Sequence, residues 1–171
     1  MPTQYSRRMV AIHWLTLLLA IATFYLGHEL DEMKPGDAKM VLYPWHFWLG
    51  DAIFYLTLVR LYLMRKDGKP APLPGSALAT KVSTGLQHLL YLLLIAVPVS
   101  GIVMKATSGL TGAVDAKDVS KLPDLETFAI HEVHATLIAV LLAAVALHAA
   151  AALYHQFLLK DNIMQRMSLR R

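Results

Sequence analysis

Four apolar stretches, each long enough to cross a lipid bilayer, constrain the fold of this 171-residue chain more than any other feature. About 20 apolar residues are needed to cover ~30 Å of hydrocarbon. The runs from about Met9 to His28, Leu42 to Met64, Thr84 to Met104 and Phe128 to Leu159 all qualify. Inside a bilayer every backbone N–H and C=O must be satisfied within the protein, which leaves only helices and closed barrels. No run alternates apolar and polar residues as a barrel strand does. The expected fold is therefore an all-α membrane protein, a four-transmembrane-helix bundle. Composition agrees, with 56% hydrophobic residues against roughly 45–50% in soluble domains. At this length a single domain over residues 1–171 is expected. The fourth run would be ~45 Å long as a helix, so it must tilt or protrude, and Pro98 should kink the third.

The connections set an orientation. The first, ELDEMKPGDAKM, is acidic; the second, RKDGKPAPLPGSALATK, is basic and proline-rich; the third, ATSGLTGAVDAKDVSKLPDLET, is long enough to hold a short interfacial helix. The N-terminus, the second connection and the C-terminal tail together carry eleven of the sixteen basic residues, whereas the opposite side has five among nine acids. By the positive-inside rule both termini are cytoplasmic. The net charge of +4 is thus a topology signal, and no nucleic-acid binding is expected. The first run has basic residues ahead of it, like a signal peptide, but no small-x-small cleavage site follows YLGHELDE, so a retained helix is the better reading.

Four of the eight histidines fall in HEVHATLIAVLLAAVALHAAAALYH, His131 to His155. Ionisable residues inside a membrane are costly and mark functional sites. At ~100° and ~1.5 Å per residue, His134 and His148 share a face and lie ~21 Å apart in height. His131 falls off that face. His13, about a turn inside the first helix, is level with His148; His46, about a turn inside the second, is level with His134. Two stacked pairs result, His13 with His148 on the inner side and His46 with His134 on the outer side. Helix bundles offer cofactor sites of this kind between facing helices. Paired imidazoles without a carboxylate or thiolate suit bis-histidine haem better than zinc, which takes four ligands. With no cysteine in the chain, disulfides, iron–sulfur ligation and covalent c-type haem are excluded, so two haems held by coordination and packing alone are expected.

Other residues carry two readings each. Gly50 either makes room for a flat ring beside His46 or serves helix packing. Arg60 either pairs an inner haem propionate or snorkels to the surface. His88 is expected at the inner interface or at a propionate. His28 and His131 are expected near the outer surface, and Asp51 has no evident partner.

The segments IHW, PWHFWLG, VRLYLMR, QHLLYLLLIAVPVSG and VHATL…LHAAAALYHQFLLKDNIMQRM together resemble the bacterial di-haem cytochrome b561 family, and the resemblance runs in order through nearly the whole chain. It implies a four-helix bundle enclosing two b-type haems with His13, His46, His134 and His148 as axial ligands, the set chosen by depth. Among single-chain members the resemblance is nearest to the superoxide oxidase type, which oxidises superoxide on the periplasmic side and reduces ubiquinone. It also implies a quinone-contacting histidine at His155, with Tyr154 beside it; the other reading of His155 is an interfacial residue. Lys105 is the candidate for guiding superoxide, helped by Lys117 and Lys121, unless these are simply solvated loop residues. Larger relatives are cytochrome b subunits passing electrons from a partner dehydrogenase to quinone, so a conduit or anchor role is the alternative function. A haem-free transporter or metal carrier using the histidines as ligands is the third.

Overall fold

The computed structural model describes residues 4–71 and 76–169. Arg170 and Arg171 of the basic tail, and Pro72–Gly75 of the second connection, lie outside the described residues. Four long helices carry the four apolar runs: α1 Arg7–Glu32, α2 Asp37–Asp67, α3 Ala77–Thr107 and, after the short helix α4 Leu110–Asp115, α5 Ala129–Leu153. All four are long and apolar enough to cross a membrane, the fourth counted through Leu159. The chain is a multi-pass membrane protein, and no strand occurs among its described residues. The third connection does hold a short helix, α4.

Most helices extend beyond the apolar run that announced them, because caps and charged turns satisfy backbone groups past the hydrocarbon. Ser6 caps α1 by accepting from the Met9 N–H at 3.3 Å, and Ser76 caps α3 by accepting from Ala79 at 3.1 Å. Such caps satisfy N–H groups that have no partner inside the helix. Helix α3 continues through Pro98, and α2 continues through Pro44. Large apolar side chains such as Leu18, Ile21, Trp48 and Leu142 face outward, as lipid-facing residues should. Helix α5 then changes character: Tyr154–Leu159 is π-helical. A π turn holds more residues than an α turn, so the ~100° step that relates His134 to His148 does not hold beyond Leu153.

The bundle has a distinctive layout. Helix α1 packs along α2, α3 packs along α5, and α2 joins the two halves by packing on α3. Close backbone approach is sparse between α5 and either α1 or α2. A seam therefore runs the height of the bundle between α5 and the α1/α2 pair.

Each end of the bundle is closed differently. At the end remote from the termini, here the distal end, Leu30, Tyr43 and Leu110 form a buried cluster with Phe47, Val114 and Leu122 packed against it. At the proximal end, Arg8 pairs with Asp67 across α1 and α2. The C-terminal segment crosses beneath: the Trp14 indole donates to the Met167 carbonyl at 3.0 Å, and Arg166 donates to the Ala71 carbonyl at 2.7 Å.

Candidate functional site

The seam is bridged by histidines. His13 of α1 and His148 of α5 face each other near the proximal end, with ring centroids 6.4 Å apart and ring planes at 69°. His46 of α2 and His134 of α5 do the same near the distal end, at 6.5 Å and 78°. The pairing derived from depth is the pairing in space. Two metal–nitrogen bonds of about 2 Å, plus ~1.1 Å from each ring nitrogen to its ring centre, put imidazoles sharing one metal ~6.3 Å apart. Both pairs have that spacing. Among the described residues no group of three or more His, Cys, Asp or Glu could hold a metal ion, so the donor sets are pairs, as a bis-histidine haem requires.

The distal pair is supported from behind. Nδ1 of His46 lies 3.2 Å from the Thr23 carbonyl of α1. A carbonyl only accepts, so this nitrogen carries the proton and Nε2 keeps its lone pair for a metal. Nδ1 of His134 lies 2.7 Å from Ser100 Oγ, whose own hydroxyl donates to the Val97 carbonyl at 2.7 Å. With its proton committed there, Ser100 accepts from His134, and the same tautomer results. Two glycines give the rings space. A Cβ on Gly27 would stand 3.0 Å from His46 Cε1, and one on Gly101 3.3 Å from His134 Cε1. A Cβ on Gly50 would meet nothing within 4 Å, so no described side chain packs on that glycine.

The proximal pair is surrounded differently. Arg60 Nη2 lies 3.2 Å from His13 Nδ1, and its guanidinium sits 5.3 Å from the Tyr91 ring centre. Its Nε is buried without a hydrogen-bond partner. A cation inside the bundle with an orphaned donor fits the carboxylate of a haem propionate, and it does not fit the snorkelling reading. His88 is exposed on α3, and no hydrogen bond or ring contact ties it to either pair.

Lys105 is not a free charge. Its Nζ lies 3.5 Å from Asp51 and 5.1 Å from the centre of the Phe47 ring, which gives Asp51 the partner that the sequence did not reveal. In the distal loop Lys121 pairs with Asp118 at 2.9 Å. The Ser120 hydroxyl and Lys121 hold that carboxyl below its usual range. His131 reaches Asp31 of α1 at 3.6 Å through Nε2, with Nδ1 buried and unpartnered, and His28 is exposed. Tyr154 stands edge-on to His155 with ring centroids 6.1 Å apart. His155 Nδ1 lies 2.5 Å from Asp161 Oδ2. Asp161, Asn162, Gln165 and Arg166 line a polar cleft together with Gln4.

A family model for prokaryotic cytochrome b561 matches residues 4–168. The chain belongs to the prokaryotic cytochrome b561 family. Among its relatives, cytochrome b561 homolog 1 of Escherichia coli (strain K12) is 30% identical, with 98% of each chain aligned. A Yersinia pestis protein described as a probable superoxide oxidase, CybB, is 30% identical over 98% of this chain and 97% of its own. Cytochrome b562 of Cereibacter sphaeroides is 32% identical over 95% and 94%. As a cytochrome b561 this protein is an electron-transfer protein of the membrane with b-type haem.

Sequence reasoning missed Thr23, Gly27, Ser100, Gly101 and Asp161. Ser100 and Gly101 stand together after Pro98 in the motif PVSG, the one signal that could have drawn attention to them.

Proposed function

We propose that this cytochrome b561 carries electrons across the bacterial inner membrane, oxidising superoxide at the periplasmic, distal end and reducing ubiquinone near the cytoplasmic, proximal end. One observation carries the reading: two histidine pairs, each spaced for a single metal atom, bridge one seam of the bundle at two depths. His46 and His134 would hold the distal haem, and His13 and His148 the proximal one. When bound, each haem supplies a one-electron iron couple.

The chain's own residues do the rest. The imidazoles fix two centres ~21 Å apart in height by the helix rise. Arg60 offers its orphaned Nε to a propionate. At the distal end Lys105 draws an anion toward the His46 side of the bundle, with its field moderated by Asp51. At the proximal end His155, oriented by Asp161 and flanked by Tyr154, donates protons to a quinone carbonyl. The stoichiometry closes as two superoxide ions giving two dioxygen and two electrons, which with two protons convert one quinone to quinol. The lysine and arginine excess on the proximal side supports cytoplasmic termini.

Stopped-flow mixing of the purified protein with superoxide is the test. Haem reduction should be fast, quinone should reoxidise the haem, and Lys105→Ala should slow the first step severalfold with weaker salt dependence. Failure of superoxide to reduce the haem, with reduction by a co-purifying dehydrogenase instead, would replace this reading with that of an electron-transfer or anchor subunit.

A further inference from the structure

The two histidine pairs differ in what stands behind them. Both distal rings give their Nδ1 proton to an acceptor, the Thr23 carbonyl at 3.2 Å and the Ser100 hydroxyl at 2.7 Å. Neither proximal ring does so. His13 Nδ1 faces Arg60, which can only donate, and among the described residues His148 makes no hydrogen bond. The distal arrangement is built rather than incidental. Ser100 is buried, and its own proton is committed to Val97. Gly27 is the residue that lets the His46 ring reach Thr23, since a Cβ there would stand 3.0 Å from the ring.

A ligating imidazole that gives its second N–H to an acceptor is a more basic donor, and its ring is fixed in orientation. A more basic donor favours the oxidised metal, and second-shell hydrogen bonding is one of the levers by which a protein sets a haem potential. At the proximal centre Arg60, which can only donate, supplies no such acceptor to His13. We propose that Ser100 is a positioning residue of the distal centre: by accepting the His134 Nδ1 proton it fixes the tautomer that leaves Nε2 for iron and, with the Thr23 carbonyl, sets the distal haem at a lower potential than the proximal one. Electrons arriving at the distal end then run downhill toward the proximal end. The inference rests on the assignment of His46 and His134 as distal haem ligands.

Equilibrium redox titration of the purified haem-loaded protein, followed by visible absorbance, tests it without reference to activity. His134→Ala should abolish one of two redox waves and so identify the distal one; that wave should be the lower in the unmutated protein. Ser100→Ala should shift the distal wave upward and leave the proximal wave in place, and Ser100→Thr, which keeps the hydroxyl, should restore it. A distal wave unmoved by Ser100→Ala, or one lying above the proximal wave, overturns the inference while leaving the ligand assignment intact. Loss of no wave in His134→Ala overturns the assignment itself, and the inference with it.

Discussion

At the level of single residues, small side chains stand next to large rings. Gly27 and Gly101 leave 3.0 and 3.3 Å between a hypothetical Cβ and the His46 and His134 rings, which orders two mutations. Gly27→Ala must push His46 aside, and overpacking of this kind costs about 1–3 kcal/mol. Distal haem affinity should drop by roughly tenfold or more, since ~1.4 kcal/mol is a factor of ten. Gly101→Ala should cost less, because a few tenths of an ångström of ring movement relieve it. Haem retention of the two variants in a competition assay with apomyoglobin checks the order, and equal retention would contradict it. Neither glycine was legible in the sequence, because its importance depends on which neighbour faces it. The pairing of His13 with His148 and of His46 with His134 was legible, since helix rise alone sets depth and equal depth restricts the choice of partners. Asp51 shows the limit of that reasoning: its partner Lys105 sits 54 positions away on another helix, and no periodicity connects them.

At the element scale, α1, α2 and α3 follow from apolar length, with serine caps on α1 and α3, but the end of α5 does not. Tyr154–Leu159 turns π-helical, and two non-glycine residues with positive φ, Lys160 (55°) and Asn162 (57°), then reverse the chain. Conformations of this sort cost about 1–3 kcal/mol each and cluster at functional sites. Here they bring Asp161 back onto His155, with its other carboxylate oxygen accepting from the Ile163 N–H at 3.2 Å. The apolar run to Leu159 marks where the span ends but not where the chain goes next, so the return was invisible until the fold was known. Replacing His155 by Ala should lower quinol formation by roughly 10²-fold, the usual scale of general acid–base catalysis, while both haem spectra persist. Asp161→Asn should give a smaller loss. A quinone assay on detergent-purified protein with chemically reduced haem measures both, and a haem spectrum lost in His155→Ala would remove His155 from the quinone site.

At the scale of the whole molecule, the unusual feature is the seam. Helix α5 packs along α3, with sparse backbone approach to α1 and α2, and histidine rings face one another across that gap. The height of that seam matches two centres, one near each end, with the distal end closed by α4 and the proximal end laced by Arg8, Asp67 and Arg166. Composition and charge had announced a membrane bundle; which helices stand apart is a three-dimensional property that hydropathy does not encode. Haem content per polypeptide tests this architecture most directly, measured as the pyridine haemochrome of the purified protein alongside single His13→Ala and His134→Ala variants. Two b-type haems per chain are expected, and one in each variant. One haem in the unmutated chain, or two retained in either variant, would contradict it.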